Sequence, residues 1–174
     1  SFIKKPGTLI TKRTNLNNNR IITGISSTHN DAKVTLVGVK DRPGVAASIF
    51  KPLSINSINV DMVVQNISPN GKETDLTFTI KAEDLNKTKK IIQDNKSIKF
   101  KKVLFQKGVS KISIIGVGMI TTPGVTFRMF QALANKRINI QVISTSEIKI
   151  SVLINKKDAK KALVTLHKEF KLQE

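Results

Sequence analysis

The sequence has no cysteine, no tryptophan and no tyrosine, and its only aromatics are eight phenylalanines among 174 residues. Without cysteine there is no disulfide scaffold and no cysteine-type zinc finger. Two histidines, His29 and His167, do not build a metal site by themselves. No apolar run approaches the ~18 residues that a membrane span needs. The first residues also lack the basic-then-apolar order of a signal peptide, so a soluble cytoplasmic protein is expected. Acidic residues are scarce too: 12 Asp and Glu against 30 Lys and Arg leave a net charge of +18. That excess raises nucleic acid as a partner. The 39% of hydrophobic residues is enough for a packed core, and the length fits one ordinary domain or two small ones.

What is present is a repeat. Val34-Thr-Leu-Val-Gly-Val39 matches Ile112-Ser-Ile-Ile-Gly-Val117 at an offset of 78. Pro43-Gly-Val-Ala-Ala-Ser-Ile-Phe50 matches Pro123-Gly-Val-Thr-Phe-Arg-Met-Phe130 at 80, and Ile58-Asn-Val60 matches Ile138-Asn-Ile140 at the same offset. Ile80–Asp84 pairs with Ile154–Asp158 at 74, so the first copy has the longer middle loop, which contains the turn sequence Pro69-Asn-Gly71.

Each copy reads as the same series of elements. Ala32–Val39 is a buried strand. Val45, Ile49 and Leu53 recur every four residues and mark a helix face. Pro52 is expected to kink or loosen that helix. Asn59–Gln65 reads as a second strand, and alternating Leu76, Phe78 and Ile80 as a third. Leu85, Ile91 and Ile92 give a second helix, and Ile98–Phe105 a fourth strand. The order βαββαβ is a ferredoxin-like unit, an α+β fold with both helices on one face of an antiparallel sheet. The second copy reads as strand 112–117, helix 125–136, strands 140–144 and 148–154, and helix 156–170, with no fourth strand. Ile21–Ile25 is predicted to fill that place, so the first unit is inserted into the second. The expected boundaries are a linker over 1–20, the completing strand over 21–31, the first unit over 32–107 and the second over 108–174. Leu9-Ile10 is expected to pair briefly.

No catalytic or metal constellation is legible. His29 and His167 read as solvated side chains, and no phosphate loop of the Gly-x-x-x-x-Gly-Lys type occurs. Gly116-Val-Gly118 opens a dinucleotide fingerprint, but Thr121 stands where its third glycine would be; it reads as a strand end and a turn. The informative feature is the duplicated Pro-Gly corner. It places a helix N-terminus, with free N–H groups and a positive dipole end, where a carboxylate can seat. Gly44 and Gly124 permit close approach, Asp41 offers a charge to an ammonium, and Ala46 and Ala47 leave room. Carboxylate plus ammonium describes a free amino acid.

These residues bring a resemblance into view. Val34-Thr-Leu-Val-Gly-Val-Lys-Asp-Arg-Pro-Gly44 resembles the opening of an ACT domain, a βαββαβ module that binds amino acids. Pro6-Gly-Thr-Leu-Ile-Thr11, Ile22-Thr-Gly-Ile25, Ile58–Asn66, Thr74–Phe78 and Ile143–Leu153 resemble the regulatory half of the aspartate kinases. The resemblance implies a regulatory region, itself non-catalytic and without a cofactor. It would serve an upstream kinase domain, or a separate catalytic subunit, that uses ATP and Mg to phosphorylate aspartate. It also implies a homodimer through ACT units and feedback by lysine, threonine or both. Carried over by motif, a first effector site takes Asp41, Gly44, Val45, Ala46 and Gln65, closed by Asn139 and Ile140 of a partner unit. A second takes Met119, Gly124, Val125, Thr126, Ser144 and Ser146, with Asn59 and Asp61 opposite. Thr121 stands in the position of Asp41 in the second corner, and the chain has Val45 where the family often has an acid.

Two alternatives remain at this stage: a free-standing amino-acid sensor, and a nucleic-acid module resting on Lys96, Lys99, Lys101, Lys102 and Lys107. The second lacks a stacking platform, because Phe78 stands alone on its strand and the odd spacing of Phe100 and Phe105 sends them to opposite faces. The lysines are expected to form solvated faces and not to converge on the Pro-Gly corners.

Overall fold

A computed structural model describes residues 21–67 and 71–172. The expected linker over 1–20, the pairing at Leu9-Ile10, and Pro69 and Asn70 of the expected turn lie outside these residues. The elements run β1 (Gly24–Ser27), β2 (Asp31–Lys40), α1 (Val45–Ile55), β3 (Val63–Ile67), β4 (Glu73–Lys81), α2 (Leu85–Asp94), β5 (Lys102–Ile115), α3 (Val125–Asn135), β6 (Ile140–Ser146), β7 (Lys149–Asn155) and α4 (Ala159–Glu169). All strand pairings are antiparallel. One path through the sheet runs β3-β4-β2-β5-β7-β6, and β1 pairs with β5 off this path.

Two units share this sheet. In the first, α1 and α2 cover β2 and β4, and Leu36, Ile49, Leu53, Phe78, Leu85 and Ile92 close a core. In the second, α3 and α4 cover β5 and β7 around Ile112, Ile114, Met129, Leu133, Val152 and Leu166. Both cores follow from period: every second residue of the strands and every third or fourth of the helices is apolar. β1 lies against Ile112–Ile115 of β5, in the place of the second unit's fourth strand, so the first unit is inserted into the second.

The strand shared by both units differs from its expected form. The separate strands expected at 98–105 and 112–117 are one strand of 14 residues, β5. Its first half pairs with β2 and its second half with β7 and β1. Gly108 is the extra residue of a bulge, at φ 75°, where the β2 register shifts between Asp31 and Ala32. One extra residue reverses the alternation, so Val103 and Phe105 face the first core while Ile112 and Ile114 face the second, on the same side of the sheet. Without the shift one set would point away from its helices. Nothing lies within 4 Å of a Cβ added at Gly108, so Gly108→Ala meets only the left-handed backbone penalty, about 1–2 kcal/mol. Urea unfolding of that variant is expected to show this loss with an unchanged m-value.

Other boundaries also moved. The second strand, expected over 59–65, is Val63–Ile67, and Asp61 and Met62 continue its ladder through single bonds to Thr79. The completing strand expected at 21–25 runs Gly24–Ser27. The last helix begins at Ala159, after a short 3-10 turn. α1 runs three residues past Pro52 to Ile55 instead of loosening there. The Pro52 carbonyl accepts both the backbone N–H and the side-chain amide of Asn56, which closes the helix end. Phe100 precedes β5 and is not part of it, and both Phe100 and Phe105 pack against the first core. The expectation that they face opposite sides therefore fails. Phe78 is fully buried, so it offers no surface for stacking a base.

Candidate functional site

The two Pro-Gly corners have the same geometry. Gly44 and Gly124 precede α1 and α3 at φ 83° and 89°, and neither helix has a side-chain cap. A Cβ at either glycine would meet nothing within 4 Å, so the left-handed backbone explains the glycine. Val45 and Val125 are buried beneath the corners, whereas Asp41 and Thr126 are exposed and Ala46 is half-buried. Met119 lies in a short 3-10 turn and packs against the second core.

The first corner differs from expectation in its charge. Lys40, Arg42 and Lys99 line a cleft floored by Val45 and Ile98. Three cations therefore do converge on a Pro-Gly corner. Sequence spacing hides this because Lys99 reaches the corner from the loop after α2.

The helix-free faces of the two units turn toward each other. Met62, Val142, Val109 and Leu153 form a small apolar cluster between them, and Lys33 Nζ donates to Gln141 Oε1 across the gap at 2.7 Å. Burial strips water from the Lys33 ammonium and lowers its pKa below the ordinary lysine value. Beside this cluster is a cleft of about 260 Å³ lined by Val60, Asp61 and Met62 of the first unit, Lys111 of the shared strand, and Ser144, Ser146, Lys149 and Ser151 of the second.

Strand register builds the floor of the cleft. Ser26 of β1 is opposite Ser113 of β5, Ser113 opposite Ser151 of β7, and Ser151 opposite Ser144 of β6. Cross-strand partners share a face, so four serines form a row on the side away from the helices. Ser113 Oγ and Ser151 Oγ are 2.8 Å apart and buried. The rows that flank it carry Lys111 opposite Leu153 on one side and Ser146 opposite Lys149 on the other. Lys111 forms an ion pair with Asp61, linking the two units. This row was missed in the sequence, although Ser113 and Ser151 interrupt otherwise apolar strands at the period that marks it.

The fifteen expected site residues thus fall into separate places. Asp61, Ser144 and Ser146 share one cleft within a single chain. Asn59 lies in another cleft with Phe50, Ser54 and Ser57. Ile140 lies in a third with Val64, Asn66, Thr77 and Gln141, and Asn139 is exposed just before β6. Gln65 is exposed on the outer strand β3. Met119, Gly124, Val125 and Thr126 stay at the α3 corner, and Asp41, Gly44, Val45 and Ala46 at the α1 corner. Among the described residues no group of three or more His, Cys, Asp or Glu is placed to hold a metal, and no helix is long and apolar enough to cross a membrane.

Gly116 and Gly118 have a structural use. A Cβ on Gly116 would lie 2.1 Å from the Ile21 carbonyl oxygen, and one on Gly118 2.6 Å from Ile21 Cα. The two glycines let the backbone leading into β1 pass against the end of β5. The corresponding glycine of the first unit, Gly38, has no backbone against it and lies instead under the Lys101 side chain.

The sequence matches the ACT domain family over residues 34–95 and 112–170. It is 45% identical over 174 residues to the aspartate kinase of Pseudomonas fluorescens (strain SBW25), covering 99% of this chain and 42% of that protein. The chain therefore spans less than half the length of that relative. Among solved structures it is similar to the aspartokinase alpha and beta subunits, at TM-score 0.76 and 39% identity, over 86% of this chain and 99% of that one. It is also similar to the regulatory subunit of aspartate kinase from Thermus thermophilus in its ligand-free form. There the TM-score is 0.78 and the identity 34%, over 87% of this chain and 99% of that one.

Proposed function

The chain belongs to the ACT-domain regulatory regions of the aspartate kinases, and from this premise we propose that it senses a free amino acid and passes the binding on to a kinase unit. In this reading the kinase unit converts ATP and aspartate to 4-phosphoaspartate, with ATP and Mg held there and not here. The effector is lysine, threonine or both, and the protein works in the cytoplasm. The observation that carries the reading is the cleft between the units. It combines a carboxylate (Asp61), a side-chain ammonium with no partner among the described residues (Lys149) and serine hydroxyls in one place. A zwitterion fits that set: its ammonium meets Asp61, its carboxylate meets Lys149, and its side chain lies along Ser144 and Ser146.

Regulation then follows from position. The cleft is roofed by the first unit and floored by the second, so a ligand touching both favours one arrangement of the units. The shift can be no larger than the ligand's preference for that arrangement, typically about 1–3 kcal/mol. The homodimer through ACT units is part of the proposal. β3 and β6 are the outer strands of the sheet path and expose Val63 and Ile143, and unpaired edges of this kind accept a neighbouring strand. The corners with Gly44 and Gly124 remain proposed as effector contacts in such a dimer.

Titration calorimetry with lysine and threonine, singly and together, tests the reading. At least one is expected to bind, and Asp61→Asn is expected to weaken it about 10- to 100-fold, the usual worth of a charged hydrogen bond. Absence of both heat and thermal shift up to millimolar concentrations of either amino acid would sink the assignment. The first unit offers a nucleic acid no aromatic platform among the described residues, since Phe50, Phe78, Phe100 and Phe105 all pack in or against its core.

A further inference from the structure

We infer that Lys111 determines the charge preference of the cleft between the units: it holds the cleft's one carboxylate, so the cleft selects a net-neutral, hydroxyl-bearing amino acid over a cationic one. The inference rests on the reading that the cleft takes a free amino acid, and it goes on to name which class.

The charges at the site lead there. Of the residues lining the cleft, Asp61 is the sole acid, while Lys111 and Lys149 are both cationic. Glu147, in the β6–β7 turn, does not line it. Lys111 rises from the middle of β5 with its side chain 12% exposed, whereas that of Asp61 is 53% exposed. Thr28 holds the Lys111 backbone through two bonds: the Lys111 N–H donates to Thr28 Oγ1 at 3.3 Å, and the Lys111 carbonyl accepts from the Thr28 N–H at 2.9 Å. Asp61 is fixed as well, through its N–H to the Thr79 carbonyl at 2.9 Å. The ion pair is therefore built from two anchored strands, and the lysine arrives mostly out of water.

This geometry rejects a second positive charge. The α-ammonium of an amino acid can share the exposed side of Asp61. A further ammonium at the end of a side chain finds no second carboxylate and meets Lys111 and Lys149 in a half-buried space, where repulsion is screened less than in bulk water. An uncharged side chain meets no such penalty, and a hydroxyl finds partners in Ser144 and Ser146. Removing the Lys111 charge while keeping its length frees Asp61 for a cationic side chain.

The test is titration calorimetry of L-threonine, L-serine and L-lysine into the 174-residue chain and its Lys111→Met, Lys111→Arg and Lys111→Met/Asp61→Asn variants, with unfolding temperatures to verify folding. The native chain is expected to bind threonine at least tenfold more tightly than lysine. Lys111→Met is expected to shift the ratio toward lysine by at least tenfold, and Lys111→Arg to keep the native ratio. The double variant is expected to lose the gained lysine affinity. An unchanged ratio in Lys111→Met overturns the inference, as does an equal shift in Lys111→Arg or a native preference for lysine. If the native chain takes up no amino acid, the amino-acid reading falls. Even then, lysine uptake gained by Lys111→Met upholds the role of Lys111, and no gain overturns it.

Discussion

Gly116→Ala is expected to destabilise the protein by about 3 kcal/mol, the upper part of the usual overpacking range, and to lower the unfolding midpoint by roughly 6–12 °C. The added methyl would stand 2.1 Å from the Ile21 carbonyl oxygen and 2.7 Å from Ile22 Cα. Neither side can yield cheaply. The Gly116 N–H is bonded to the Ile148 carbonyl at 2.9 Å, and the Thr23 N–H to the Ile115 carbonyl at 2.8 Å. Relief requires β1 to move off β5, which opens the sheet edge that β1 covers and withdraws Ile22, 2% exposed, from the second core. Gly38→Ala is the control. Its Cβ would meet Lys101 Cδ, Cγ and Cβ at 2.6, 2.8 and 3.1 Å, all atoms of one exposed, flexible side chain that can swing away where a backbone cannot, so its cost is mainly the positive φ, about 1–2 kcal/mol. Denaturant unfolding measures both variants, and hydrogen exchange at the Thr23 amide separates them: only Gly116→Ala should lose protection there. Equal losses in the two variants would contradict the backbone clash.

Phe78→Ala is expected to cost about 4 kcal/mol, within the range for removing a buried phenylalanine. Phe78 is fully buried at the centre of the first core. The Phe50 ring stands edge-on to it, with centroids 5.3 Å apart and an interplanar angle of 76°, an arrangement worth about 1 kcal/mol beyond area burial. The alanine would leave a cavity between β4 and α1 that flanking strands, held on both sides by ladders, cannot close. Phe78→Leu keeps most of the volume and should cost about 1.5 kcal/mol or less. A loss under about 1.5 kcal/mol for the alanine variant in urea unfolding would show that the core closes around the gap.

Much of the fold could be read from local patterns. Val45, Ile49 and Leu53 at four-residue spacing, the alternation of Leu76, Phe78 and Ile80, and the two Pro-Gly corners each report a backbone conformation that depends on a few neighbouring residues. Repetition at offsets near 80 supplied the two units, and one missing strand pointed to an N-terminal replacement. The errors lie where a local rule met a distant partner. Pro52 sits inside the last turn of α1, where Asn56 closes the helix end on its carbonyl. Phe100 packs into the first core from outside any strand. The runs on either side of Gly108 were read as two strands, because only a common partner strand shows that they are one.

The candidate site was legible by residue type and not by assembly. The family resemblance set Asp61 opposite Ser144 and Ser146, and the three do line one cleft, yet nothing in their spacing alone puts Asp61 beside residues 83 and 85 positions later. The partner of Asp61, Lys111, read as one more member of a lysine-rich sequence. The row Ser26, Ser113, Ser151, Ser144 exists only once β1, β5, β7 and β6 lie side by side in one register.

The sequence by itself determined the repeated βαββαβ order, the apolar faces and the duplicated Pro-Gly corners, because these depend on period and on backbone sterics within a few residues. The tertiary structure decided where the first unit's Asp61 meets the second unit's serines, why Gly116 and Gly118 bear no side chain, and which lysine neutralises the cleft. Each of these depends on a close approach between segments far apart in the chain, and such approaches are set by sheet register and twist, which no local pattern records.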